Sequence, residues 1–147
     1  MRVFKGHWRR GLGLGTQLLF QAALYLAFTA QGIKRKDVGV VPAITFAANE
    51  NDLVGSGAEP YFFDTDSETG ISEAFHFEEA FNELSSQGRR AKVYVPVSVS
   101  GEVANLEAIE ALASKNGAYV VEDSDYSLEL PVSESKAVPA PIPIQRY

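Results

Sequence analysis

Two hydrophobic periods alternate along this chain, and that alternation constrains its fold more than any other feature. Apolar runs of strand type recur as "VGVVPAITF" (38–46), "PYFFD" (60–64), "AKVYVPV" (91–97) and "AYVV" (118–121). The segments between them repeat their apolar residues every three or four positions: Phe77, Ala80, Phe81 and Leu84 in one, Leu106, Ile109, Leu112 and Ala113 in another. A short continuous run suits a strand, and the wider spacing suits one face of a helix. Leu18 to Phe28 reads as a further helix, buried on most sides, ahead of the first strand. The order α-β-α-β-α-β-α-β predicts an α/β fold: a parallel sheet of about four strands, helices on both faces, right-handed crossovers. The Val-rich run 38–46 has the near-continuous apolar character of a strand covered on both sides. Ligands of such sheets sit beyond the carboxyl ends of the strands. Thr45, "VSVSGE" (97–102) and Asp123 stand at those ends.

Turn chemistry sets the expected boundaries. Gly32 stops the first helix, and Pro42 marks the end of the first strand. The stretch 47–57 reads as a short helix closed by Gly55 or Gly57. Ser72 is placed to cap a helix running to about Ser85, and Asn105 to cap one closed by Lys115 and Gly117. "DTDSETG" (64–70) has the Asp, Ser and Gly of a turn. A calcium loop starting at Asp64 would need a bidentate Glu at its twelfth position, where Phe75 stands.

Composition narrows the function. The net charge is -6, which disfavours a nucleic-acid partner. There is no Cys, so disulfides and thiolate metal sites are excluded. His7 and His76 have no ligand spacing and read as plain surface or helix residues. Residues 1–10 form a basic segment carrying Arg2, Lys5, Arg9 and Arg10, and no charge follows from Gly11 to Ala30. A secretory signal has this layout too. Against it, Thr16, Gln17 and Gln21 interrupt the apolar run, and bulky Phe28 falls where a cut after Ala30 needs a small residue. A short apolar run is more often a buried helix than a membrane span. The expectation is therefore a cytoplasmic protein with an α/β domain over 11–130 and a Pro-rich, unstructured tail over 131–147.

The residues at and around these strands resemble a known family. "VVPAITFAANENDLVGSGAEPYFFDTDSETG", followed by "VYVPVSVSGEVANLEAIEALASKNGAYVVEDSDY", looks like the DegT-type sugar aminotransferases. These are fold-type I enzymes dependent on pyridoxal phosphate. The resemblance is gap-free from about Val38 to Gly70, resumes from Val95 to Tyr126, and covers roughly residues 11–127. It implies part of the large domain of such an enzyme, with the strands ordered fourth-third-first-second. It also implies site residues. Asp123 matches the carboxylate that pairs with the cofactor's ring nitrogen, and Phe46 the aromatic that stacks on the ring. Gly15 and Thr16 resemble the pair that opens a helix and holds the phosphate, although an ungapped match puts Phe20 and Gln21 there. Taken without the family, Asp123 is an ordinary strand-end acid and Phe46 ordinary core. "GLGLGT" has the wrong spacing for a dinucleotide fingerprint.

The chain departs from the family pattern at several points. Family members carry a lysine beyond the "VIEDAAQ" stretch that binds the cofactor covalently as a Schiff base. Here Lys136 is the one lysine after Asp123, and it falls in the Ser/Pro-rich tail. No catalytic residue is therefore assigned. Tyr126 replaces the family's Gln, Ser98 its His, and Asp125 a small residue. The expectation is a truncated or degenerate relative of a nucleotide-sugar aminotransferase, whose family moves an amino group from glutamate to a keto sugar. Alone it would be inactive. The alternative is a non-catalytic module that associates with a full-length homologue, or with itself as a homodimer, through the exposed apolar edge of "AYVV". The implied cofactor is pyridoxal 5'-phosphate and the implied substrate a nucleotide sugar; no metal, nucleic acid or membrane is expected.

Overall fold

The computed structural model describes the backbone of residues 13–98 and 104–123, and the side chains of that set from Gln21 onward. Its elements are α1 (Gly13–Ala30), β1 (Val38–Pro42), α2 (Ala47–Gly55), β2 (Glu59–Phe63), α3 (Ala74–Ser86), β3 (Ala91–Tyr94), α4 (Leu106–Lys115) and β4 (Tyr119–Val120). The strands form one parallel sheet in the order β2-β1-β3-β4, the order expected from the resemblance. Val40 pairs with Tyr61 on one side and Tyr94 on the other, so β1 is central.

Strand alternation divides the core into two halves. Val41, Val93, Val95 and Val121 join Leu24, Ala27 and Phe28 of α1 and Ala48 and Leu53 of α2. Val38, Val40, Ala91 and Tyr94 join Phe77, Ala80 and Leu84 of α3 and Ile109 and Ala113 of α4. Adjacent residues such as Val40 and Val41 thus serve opposite faces, as the period-two pleat requires. Gly39 marks a close approach of helix to sheet: a Cβ there would lie 2.6 Å from Leu53 Cδ1 and 2.7 Å from Cδ2. Only the absence of a side chain on β1 lets α2 sit so near.

Several boundaries differ from expectation. The first strand does end at Pro42, as expected; Ala43 to Phe46 leave the sheet to climb into α2, and the Ala43 N–H still reaches the Phe63 carbonyl at 2.8 Å. From Gln21 onward the α1 helix is buried on one side only, with Tyr25 and Leu26 exposed. Glu73, not Ser72, precedes α3, and its N–H donates to Nδ1 of His76 at 3.0 Å. His76 is consequently buried rather than a plain surface residue. Asn105 caps α4 as expected, its Oδ1 accepting from the Ala108 N–H at 3.2 Å. Gly57 follows α2 with φ +84°, the left-handed conformation that glycine adopts without strain.

The 64–70 segment is a turn. Asp66 Oδ1 accepts from the Glu68 N–H, the Thr69 N–H and the Thr69 hydroxyl at 3.0, 2.8 and 3.0 Å. Those bonds, led by the Thr69 backbone, hold the Asp66 carboxyl below its ordinary pKa. Among the described residues no cluster of acids and histidines is arranged for a metal, and no helix is long and apolar enough to cross a membrane. The basic residues 1–10 and the tail 131–147 lie outside the described residues.

Candidate functional site

The carboxyl ends of β1 and β4, with the chain that extends β3, meet around one acid. Beyond β4, Asp123 bridges Val97 in parallel register. Its N–H donates to the Pro96 carbonyl at 2.9 Å, and its carbonyl accepts from the Ser98 N–H at 2.9 Å. Two ladder bonds therefore fix the Asp123 backbone. Val121 points into the α1–α2 half of the core, so strand alternation sends Asp123, two residues on, toward the same helices.

Asn49 meets it there. The Asn49 Nδ2 donates to Asp123 Oδ2 at 2.6 Å and to Thr45 Oγ1 at 2.8 Å. Asn49 is 0% exposed and Asp123 1% exposed. A low-dielectric surrounding strengthens such a hydrogen bond. The arrangement has a cost. Asn49 Oδ1 is buried without a hydrogen-bond partner, which costs about 1–3 kcal/mol for a group of this kind.

Phe46 stands one turn before Asn49. It precedes α2 in extended conformation, its carbonyl accepts from the Asn49 N–H at 3.1 Å, and its side chain is 45% exposed. It is not core, in contrast to the ordinary reading of this residue. Gly15 and Thr16 fall in the first turn of α1, and the Thr16 side chain lies outside the described ones. Further along α1, Tyr25 reaches Gly55 at the C-terminal end of α2, at 3.9 Å from a Cβ there. Thr16 lies nine residues back, about 14 Å of helix at 1.5 Å per residue.

One turn beyond Asn49 on α2, burial pushes the Asp52 carboxyl up to about 6, and its Oδ2 has no hydrogen-bond partner. The opposite end of the sheet is different in charge. A cleft of about 400 Å³ between the C-terminal ends of α3 and α4 is lined by Phe81, Arg89, Arg90 and Lys115 among others. Cations at those helix ends complement the helix dipoles. Lys34 and Lys36 precede β1, Lys92 lies in β3 with its amine 5.0 Å from the Tyr119 ring centre, and Lys115 ends α4. Among the described residues, every lysine therefore belongs to the amino-terminal side of the strands. Tyr126 and Lys136 lie outside the described residues.

The model of the DegT/DnrJ/EryC1/StrS aminotransferase family matches residues 21–136. The chain belongs to this family. Within it, the chain is similar to the spore coat polysaccharide biosynthesis protein SpsC of Bacillus subtilis, 33% identical over 107 residues, which cover 73% of this chain and 26% of SpsC. Its fold is similar to that of the aminotransferase TlmJ from Streptoalloteichus hindustanus, with a TM-score of 0.65 and 30% identity over 74% of this chain and 28% of that one. NtdA from Bacillus subtilis, solved with bound cofactor PMP, superimposes with a TM-score of 0.62 and 26% identity, over 71% of this chain and 22% of NtdA. The chain thus spans about a quarter of the length of these DegT/DnrJ/EryC1/StrS relatives.

Sequence reasoning singled out Asp123 and Phe46 as candidates but not Asn49. A signal was present: Asn49 stands four residues before Leu53, on the helical face that meets the sheet. A polar residue on that face needs a partner from the sheet.

Proposed function

We propose that this chain forms the ring-nitrogen side of a pyridoxal-phosphate site of the nucleotide-sugar aminotransferase type, and does not transfer amino groups by itself. The carrying observation is a buried carboxylate, Asp123, fixed by Asn49 at a parallel strand end one helical turn from an exposed aromatic ring, Phe46. The donor set fits the cofactor. Asp123 accepts a hydrogen bond from a pyridinium nitrogen and keeps it protonated, Phe46 covers one face of the ring and excludes water, and backbone N–H groups at the start of α1, with Gly15 and Thr16, donate to a phosphate. When bound, the cofactor supplies an electron sink for the carbon that exchanges its amino group. A lysine is needed to hold it covalently and to move the proton. The described lysines all belong to the amino-terminal side of the sheet, which supports inactivity of this chain alone. In this reading the site serves amino transfer to a nucleotide-linked keto sugar in the cytoplasm, with the lysine supplied from outside the described residues.

The test is equilibrium dialysis of the full chain against pyridoxal phosphate, followed by borohydride reduction and intact-mass measurement. The expected result is reversible retention that falls roughly tenfold or more in Asp123→Ala, the size of one lost charge-assisted bond. Equal retention by Asp123→Ala would remove the site. A stable adduct on one lysine, with turnover of glutamate, would remove the claim of inactivity.

One observation favours a second reading, a module that docks on a full-length homologue. β4 is the outermost described strand of the sheet, and Tyr119 on it is 42% exposed. An aromatic side chain exposed there offers a contact to a partner. Co-expression with a full-length relative and size-exclusion chromatography separates the two: a stable complex supports docking, and persistent monomer removes it.

A further inference from the structure

We infer that Asn49 is a positioning residue, which holds the Asp123 carboxylate in the orientation in which it meets a ligand at the strand ends. The consequence for a ligand rests on the proposed role of Asp123; the coupling between the two side chains does not.

The geometry singles out the amide nitrogen. A side-chain amide has two N–H donors. Asn49 directs one to Asp123 Oδ2 and the other to Thr45 Oγ1, so its nitrogen is fully used. Turning the amide over would set Asn49 Oδ1 against the carboxylate, oxygen against oxygen. The orientation that holds Asp123 leaves Asn49 Oδ1 buried and unpartnered. A core selected for stability alone replaces such an amide with an apolar residue or completes its bonding. Retaining a half-satisfied amide at 0% exposure makes sense where the side chain on its other end must be held still.

The connection also runs through the backbone. The Asn49 N–H binds the Phe46 carbonyl, and the Asn49 side chain binds Thr45. Asn49 therefore ties the turn carrying Phe46 to the strand carrying Asp123. The acidic side chains next to these two residues in the chain are Glu122 beside Asp123, and Glu50 and Asp52 on α2. None of them can replace the amide as a donor when ionised.

The test is a swap. Asn49→Asp alone brings two carboxylates together and is expected to lower the unfolding temperature sharply. Asp123→Asn alone lowers it less. The double variant Asn49→Asp/Asp123→Asn restores one amide–carboxylate bond and is expected to recover most of that loss. It also moves the charge from β4 to α2, so pyridoxal phosphate retention stays roughly tenfold or more below wild type, the worth of one charge-assisted bond. Asn49→Ser, which is too short to reach Asp123, serves if Asn49→Asp does not fold; it too is expected to weaken retention. Additive effects of the single changes on stability would overturn the coupling. Full retention by the swapped protein or by Asn49→Ser would overturn the positioning role. Nonadditive stability in a wild-type chain that retains no pyridoxal phosphate would leave the coupling standing and sink the cofactor reading.

Discussion

Asn49 and Asp123 lie 74 positions apart in the chain, yet their buried side chains share a 2.6 Å hydrogen bond. It joins the first turn of α2 to the last described residue of the β4 strand path, the far edge of the sheet from β2. Replacing Asp123 by Leu would leave the Asn49 amide nitrogen with one partner. The expected loss of stability is about 1–3 kcal/mol, the cost of a buried polar group left unbonded. Urea unfolding of the two proteins measures it; an unchanged midpoint would mean the bond is not formed in solution.

Phe46 separates stability from binding. Its side chain is almost half exposed. Phe46→Ala should change stability by less than about 0.5 kcal/mol, as exposed substitutions do. Retention of pyridoxal phosphate should fall. Thermal unfolding and dialysis on the same sample check both halves, and a large stability loss would return Phe46 to the core.

Gly39 and Leu53 test the packing of α2 on the sheet. A methyl group at Gly39 would collide with both Cδ atoms and the Cγ of a fully buried leucine. Gly39→Ala should cost about 1–3 kcal/mol by overpacking. Leu53→Ala alone should cost about 2–5 kcal/mol through the cavity it leaves. Together they should cost less than their sum, because the added methyl enters the vacated space. Denaturant titration of the double-mutant cycle decides; simple additivity would contradict the contact.

Asp52 predicts a pH dependence. Its folded pKa, about 6, lies above the ordinary 3.8, so ionisation destabilises the folded state. The penalty is complete above about pH 6, fades as pH falls from 6 towards 3.8, and is absent below. Asp52→Asn should therefore unfold at a higher temperature than wild type at neutral pH. That advantage should vanish near pH 3.8. A constant difference across the range would show that Asp52 does not titrate as described.

The periods of the apolar residues made the element order legible, since burial in a strand or on a helix face leaves a local pattern. Gly57 and Asn105 were legible for a similar reason: a positive φ and an N-cap each favour particular residue types. Ser72 misled because Ser is a good cap in general, whereas here His76 accepts the Glu73 N–H and the helix starts later. The end of β1 was legible from Pro42, which lacks the N–H that a sheet ladder needs.

The sequence by itself determined an α/β chain with its apolar residues in the periods of strands and helices, and its family ancestry. It also marked Asp123 as an acid at a strand end. Only the tertiary structure decided that Asp123 is buried, that Asn49 holds it, and that Phe46 faces outward. Hydrophobic periodicity is a property of neighbours in the chain. A hydrogen bond between residues 49 and 123 depends on where α2 crosses the sheet, and that position is a matter of tertiary packing, in which Leu53 settles onto Gly39.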